Sequence, residues 1–371
     1  MRVATLLLPS KLPNSWRAIA ARIVSKLLPV WFLKKTMESQ FINFGIEISN
    51  ICNANCSFCA YRFQERDKVV IPWEVLKKSI DEFSDAGGGS VNFTPTVGDP
   101  LVDKKLLEKI KYASSFKNIN TVFLYTNGIL LHRFGYDEIL DSGLTRLAIS
   151  TFIGSREGYK KYYGKDKYDQ VMRNIEQIAI RNRDKGYPVL ITLHLRVSQE
   201  QDEWRETRIF KSIVGLIGEQ NIDYLNEYDS WSSKINQDDL PKGCEINKAL
   251  PLEVKKKSPC FELYRRVHVL ADGNVGACVC TDLNAEINIG NVNNQSLKEI
   301  WKGKRLKEYR KKWVEGDLPD VCVNCTRYMP VDEFIENSRR RIVIDFIRRT
   351  YPRLFRLLTN KSYRSSMFDD I

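Results

Sequence analysis

The sequence predicts an α/β fold: a partial (β/α)6 TIM-like barrel followed by a small C-terminal α+β unit. Between residues 41 and 231, short β-like runs alternate with amphipathic helical periods, which is the pattern of parallel βα units. After residue 258 the texture changes, with two apolar runs flanking an Asp-Gly pair, a strong hairpin signal. Two cysteine clusters fall one in each region.

Residues 1–40 form a basic lead in which Ile19, Ile23 and Leu27 recur on one helical face and Arg17, Arg22 and Lys26 fall on others, until Pro29. In the barrel region, 41–231, the expected strands are Phe44–Ser49, Ser90–Phe93, Thr121–Tyr125, Arg146–Ser150, Val189–Val197 and Ile222–Glu227. The expected helices include Trp73–Phe83, Lys104–Ser114, Tyr168–Arg181 and Trp204–Leu216. Right-handed crossovers would close six such units into the partial barrel. Residues 232–257 are polar and read as a linker. In the unit 258–330, Val267–Leu270 and Val275–Val279 frame Asp272-Gly273, and one helix is expected over Ser296–Trp313, opened by a Ser296/Glu299 capping box. The tail, 331–371, is again basic and amphipathic from Arg339 onward.

Composition narrows the class. The chain has 371 residues, 43% hydrophobic and 28% charged, enough for two domains or a barrel with an appendage. Its 58 Lys and Arg against 46 Asp and Glu give +12, which favours anionic partners. Nine cysteines with no secretory signal argue against a disulfide framework and for metal ligation in a reducing cytosol. No apolar run approaches ~18 residues, so no transmembrane helix is expected.

Cys52, Cys56 and Cys59 directly follow the first expected strand, at the barrel face where active sites sit. Three thiolates bind three irons of a cubane and leave the fourth open. Structural zinc wants four ligands, and none of His132, His194 or His268 lies in this loop. A dithiol redox pair would leave Cys52 idle. Downstream, Cys260, Cys278, Cys322 and Cys325 supply four thiolates from two elements, a closed site for either zinc or an iron–sulfur cluster. Cys280 would share a strand face with Cys278 and stand in reserve. Cys244, in the expected linker, is either a small buried hydrophobe or a hydrogen donor or conditional ligand, the one catalytic candidate.

Cys52-x3-Cys56-x-Phe58-Cys59 resembles the signature of the radical S-adenosylmethionine (SAM) superfamily. The resemblance extends to Thr96-Val97-Gly98-Asp99-Pro100, similar to the family's Gly-Gly-Glu-Pro segment, whose backbone meets the amino group of SAM. It extends also to Thr126-Asn127-Gly128 and to Ile149-Ser150. It implies SAM-binding roles for Phe58, Gly98 and Asp99, with Ser150 donating to the SAM carboxylate. Arg196, on the fifth strand, is a bidentate candidate for that same carboxylate, its alternative being a surface ion pair. Cys260…Gly273…Cys278…Cys322-x2-Cys325 resembles the family's SPASM/twitch domain, shortened to hold a single auxiliary [4Fe–4S] cluster. Its spacing is similar to that of twitch-type enzymes that oxidise an aminocyclitol alcohol.

The resemblance implies an oxidoreductase. Reductive cleavage of SAM gives a 5′-deoxyadenosyl radical, which takes a substrate hydrogen, and the auxiliary cluster accepts the remaining electron. A sugar, cyclitol or other small polar substrate is expected, lipid-linked forms included. Modification of a ribosomally made peptide is the alternative; such maturases carry a leader-binding domain of about 80–90 residues, longer than the 40-residue lead. A non-catalytic iron–sulfur protein is the outside reading. The expected partners are SAM, the small substrate and a reductase of flavodoxin or ferredoxin type, without nucleic acid. The basic ends fit an anionic membrane surface or, alternatively, a cover for the open side of the barrel, so the expected location is the cytoplasm, with peripheral contact at the inner membrane face.

Overall fold

Strands β1 (Asn43–Ile46), β2 (Gly89–Asn92), β3 (Ile119–Thr126), β4 (Arg146–Thr151), β5 (Leu190–Arg196) and β6 (Ile222–Leu225) pair in parallel, in chain order. The computed structural model describes residues 26–196 and 203–350. Most of the expected N-terminal amphipathic face, the end of the fifth strand at Val197, and the tail beyond Thr350 lie outside the described residues.

Alternation separates the two faces of this sheet. Phe44 pairs with Val91, Val91 with Val122, and Leu147 with Ile191, giving a buried apolar face. Helix Trp73–Asp85 covers it with Val75, Leu76, Ile80 and Phe83, the i, i+1, i+5, i+8 stripe of an amphipathic helix. Phe83 stacks on Phe44 with centroids 4.4 Å apart. The register puts Gly45, Asn92, Phe123 and Arg146 on the opposite, inner face, and Ser150 beside His194. This inner face is the polar bore of the barrel.

Three expectations are corrected. The helix expected over Trp204–Leu216 is a 3-10 turn, Glu203–Glu206, and then a helix, Arg208–Ile217, because Thr207 caps the second piece by accepting from the Phe210 amide at 3.3 Å. The helix expected over Ser296–Trp313 is two, Leu297–Lys302 and Lys304–Glu315, because Gly303 takes an extended ψ of 164° between them. The Ser296/Glu299 capping box forms as expected. The region expected to be a linker, 232–257, is instead structured. It carries a capped 3-10 turn at Gln237–Asp239 and a short helix, Leu252–Lys255. Its β8 (Glu245–Ile246) pairs in parallel with β7 (Glu227–Tyr228).

The hairpin forms between β9 (Arg266–Val269) and β10 (Asn274–Gly276), and β11 (Asn288–Asn291) adds to it. Gly273 turns the chain at φ +87°. β9 also pairs in parallel with β1, from Asn43↔Arg266 to Ile46↔Val269. The result is one nine-stranded sheet, β11-β10-β9-β1-β2-β3-β4-β5-β6.

The described part of the basic tail, helix Val331–Thr350, packs against helix Val30–Ser39 and beneath β1 and β2. Arg341 donates to Asn43 Oδ1 at 3.0 Å and Arg349 to the Ile42 and Gly88 carbonyls at 3.3 and 3.4 Å. Arg348 pairs with Asp345 at 2.7 Å. These arginines fasten the base of the sheet. Among the described residues no helix is long and apolar enough to cross a membrane.

Candidate active site

The first cysteine loop leaves the C-terminal end of β1 and is clamped at its neck. Asn50 accepts from the Val69 amide and donates to the Asp67 carbonyl, both at 2.7 Å. Further along, the Asn55 and Ser57 amides donate to the Tyr163 and Tyr162 carbonyls at 3.1 and 2.9 Å, which docks the loop on helix Arg156–Tyr163. Burial pushes the Cys52 thiol up to about 12 and raises Cys56 and Cys59 as well. Cys59 and Cys52 both add to the upward push on Cys56, so the three thiols of the loop are neighbours. Thiols held protonated by burial ionise when a metal cation replaces the proton. The donor set fits a cubane with three protein ligands.

Phe58 forms the wall of this point. Its ring meets Tyr163 and Tyr228 edge-on, each with centroids 5.4 Å apart. The Arg196 guanidinium lies 5.3 Å from the Phe58 ring and 5.0 Å from the Tyr228 ring. It donates to Ser150 Oγ at 3.4 Å. Arg196 is therefore an inner residue of the bore caged by aromatic rings, and the alternative of a surface ion pair is excluded by its position. Cys244 is buried and contacts Tyr228, with Arg196 nearby. The cysteine read as part of a linker thus stands at the first site.

Gly98 has φ +133°, and a Cβ there would come within 2.4 Å of the Ser49 carbonyl. Its backbone passes hard against the end of the cysteine strand, which only glycine permits. Asp99 turns inward, 1% exposed. Its carboxylate accepts from Thr126 Oγ1 at 2.8 Å, the Asn127 amide at 2.8 Å and the Leu101 amide at 3.0 Å. Its own amide donates to the Ile51 carbonyl at 2.9 Å. Burial lifts this carboxyl to about 6 although these donors pull it down. Asp99 fastens the loop after β2 to the end of β3 and to the cysteine loop. Asn127 completes the junction, donating to Asn53 Oδ1 at 2.8 Å and to Cys52 Sγ at 3.8 Å.

The second cluster gathers as a small enclosed cavity lined by Cys260, Cys278, Cys280, Cys322 and Cys325, with Trp313 and Tyr328. Cys280, set aside on spacing, lines the same cavity. Its Sγ donates to Glu262 at 3.7 Å, and Glu262 pairs with Arg265 at 3.0 Å. Donors point at sulfur: the Arg327 amide and Thr281 Oγ1 to Cys325 at 3.3 and 3.8 Å, and the Cys280 amide to Cys278 at 3.4 Å. Five thiols in one cavity, with amide donors to sulfur, fit an iron–sulfur cluster. Among the described residues no trio of His, Cys, Asp or Glu is drawn together tightly enough for a single metal ion.

Tyr163, Tyr228, Glu262 and Lys255 were not singled out in the sequence. The tyrosines have no spacing relation to the cysteines, and Lys255 sits in what reads as a polar linker.

Thiol sites of this kind, one at the mouth of a parallel barrel and one closed behind a hairpin, define an iron–sulfur barrel protein. Residues 46–207 match the family described as the radical SAM superfamily, and residues 260–326 the iron–sulfur cluster-binding domain SPASM. The chain belongs to the radical SAM superfamily and carries a C-terminal SPASM domain. These domains bring SAM, a [4Fe–4S] cluster and auxiliary iron–sulfur clusters.

Molybdenum cofactor biosynthesis protein moc-5 of Caenorhabditis elegans is 29% identical over 182 residues, 48% of this chain and 28% of that protein. GTP 3′,8-cyclase of Alkaliphilus metalliredigens is 26% identical over 148 residues, 39% and 45% of the two chains. The chain thus spans less than half the length of these curated relatives. Among solved structures, BtrN in complex with AdoMet and 2-DOIA aligns with a TM-score of 0.52 at 18% identity, over 77% of this chain and 93% of that one. Streptococcus suis SuiB bound to precursor peptide SuiA aligns at 0.52 and 14% identity, over 80% and 72%. These likenesses establish the shared fold.

Proposed function

We propose that this chain is a radical SAM oxidoreductase acting on a small polar substrate such as a sugar or cyclitol. Cys52, Cys56 and Cys59 would hold the SAM-binding cluster, and Cys260, Cys278, Cys322 and Cys325 one auxiliary cluster, with residues 41–231 and 258–330 as the two units. Loaded, the first site would supply the electron that splits SAM into methionine and a 5′-deoxyadenosyl radical, and the second would take up the electron left on the substrate.

The chain's own residues orient SAM. Gly98 offers backbone to the SAM amino group, Arg196 and Ser150 take its carboxylate, and Phe58 walls the site. The ring of Phe58, Tyr163 and Tyr228 excludes water from a point where a primary radical would attack any C–H bond. Cys244 is a candidate hydrogen donor from its place beside Tyr228.

One observation carries the oxidative reading: the second site offers at least four protein thiols, enough to ligate every iron of a cubane, and is attached through β9 to β1, the strand that bears the first loop. A closed site suits electron transfer and leaves no open position for substrate. The small polar substrate is supported by the bore. Thr94 Oγ1 and Thr96 Oγ1, in the segment that follows β2 toward Gly98, are buried without a protein partner among the described residues. Such groups need a polar occupant or water.

A flavodoxin- or ferredoxin-type reductase would supply the electron. Contact with an anionic membrane rests on Leu27 and Trp31, 76% and 67% exposed beside the basic lead.

Anaerobic reconstitution with reductant and SAM tests the proposal. 5′-Deoxyadenosine should form, and Cys56→Ala should abolish it, with about eight irons per chain in the intact protein. No 5′-deoxyadenosine above the variant's level would sink the enzyme reading, and about four irons would sink the second cluster.

A further inference from the structure

Lys255 ends the short helix Leu252–Lys255 and is fully buried. Its Nζ donates to the carbonyls of Cys322, Val323 and Cys325 at 3.0, 2.8 and 2.9 Å. An ammonium has three N–H donors, and here all three are spent on one turn, the turn that carries two of the cavity's thiols. Burial lowers its pKa, and the groups that act against this are Cys325, Cys322 and Cys260. Its position is not adaptable: Trp313 Nε1 donates to the Lys255 carbonyl at 2.8 Å, and the Tyr328 ring lies 6.0 Å from Nζ.

A buried ammonium without an anion is costly, and carbonyl dipoles offset only part of that cost. An anion beside the turn would offset the rest. Four thiolates around an iron–sulfur core are net anionic, and two of them, Cys322 and Cys325, stand on the turn that Lys255 grips.

We propose that Lys255 is the built-in counter-charge of the auxiliary cluster: a positioning residue that sets the Cys322–Cys325 turn and raises the cluster's reduction potential. The proposal rests on the reading of Cys260, Cys278, Cys322 and Cys325 as ligands. Reduction adds an electron, and a fixed cation nearby favours the more negative form. The lysine thereby makes the auxiliary site a better acceptor.

The test uses the full chain with Cys52, Cys56 and Cys59 changed to Ala, so that only the auxiliary site holds iron. This parent should retain about four irons per chain. If it holds none, the ligand reading fails and this proposal with it, before Lys255 is touched. In the parent, Lys255→Gln should load the same iron and titrate at a more negative midpoint by EPR. The expected shift is at least a tenfold fall in the reduced-to-oxidised ratio at fixed potential, about 59 mV for one electron. Lys255→Arg, which keeps the charge, should keep the parent midpoint. Loading by the Arg variant but not by the Gln variant also supports the charge role. An unchanged midpoint in Lys255→Gln would overturn it, as would failure of both variants to load.

Discussion

Asp99 shows how one side chain fixes a junction. Three donors from two segments converge on its carboxylate: Thr126 Oγ1, the Asn127 amide and the Leu101 amide. Asp99→Ala would leave them buried and unpaired, at about 1–3 kcal/mol per group. Chemical denaturation should show a loss of at least about 3 kcal/mol, and SAM binding should weaken as Gly98 loses its anchor. Asp99→Asn, which keeps the shape and one acceptor oxygen, should lose less; equal stability of the Ala variant and the parent would refute the junction. A second residue makes stability depend on pH. His268 on β9 is 1% exposed, and burial lowers its pKa from 6.5 to about 3, helped by Arg266 and Arg66. Between those values the unfolded chain takes up a proton that the folded chain refuses. This contribution is complete above about pH 6.5 and is lost as pH falls toward 3, at up to about 1.4 kcal/mol per pH unit. Urea midpoints at pH 7 and pH 5 should therefore differ more in the parent than in His268→Gln.

Elements were legible where their signal is local. Apolar periodicity marks helices Trp73–Asp85 and Tyr168–Asp184, and both cysteine loops declare themselves by spacing within one turn or hairpin. Strand ends shift by a few residues, as at β1, because pairing partners decide where a strand stops. Gly303 divides a helical period whose two halves look continuous when only the period is read. The bore and the Lys255 grip were illegible because their members lie far apart in the chain. The basic helix Val331–Thr350 is a further case: its cations suggest a solvated or lipid-facing surface, yet Arg349 lies 4.9 Å from the Phe41 ring and donates to the Ile42 and Gly88 carbonyls. Arg349→Met keeps the bulk and removes those bonds. A loss of about 1–3 kcal/mol is expected, read as a lower thermal midpoint. No change in that midpoint would mean that the helix does not fasten the base of β1 and β2.

At the scale of the molecule, the two thiol sites are built on one sheet. β9 joins β1 across more than two hundred residues of chain, a pairing no local pattern reports. A buried ion pair reinforces the seam. Arg66 donates from both terminal nitrogens to the Glu47 carboxylate at 2.8 Å each, and its Nε donates to the Leu283 carbonyl at 2.8 Å. Glu47 also accepts from the Ala271 amide at 3.2 Å. The loop after Cys59 is thus bound to the hairpin and to the segment after Cys280, which ties the two sites together. The electron transfer proposed above, from a substrate radical to the second site, would need a fixed distance between the two. Glu47→Gln keeps the volume but strands the Arg66 guanidinium in a buried position, a loss of about 3–5 kcal/mol. Cys52, Cys56 and Cys59 remain in place, so 5′-deoxyadenosine should still form. What should fall is the yield of oxidised product per 5′-deoxyadenosine, measured in single turnover with an identified substrate. A destabilised Glu47→Gln protein with the parent's yield would show that the seam holds the fold together without coupling the two sites.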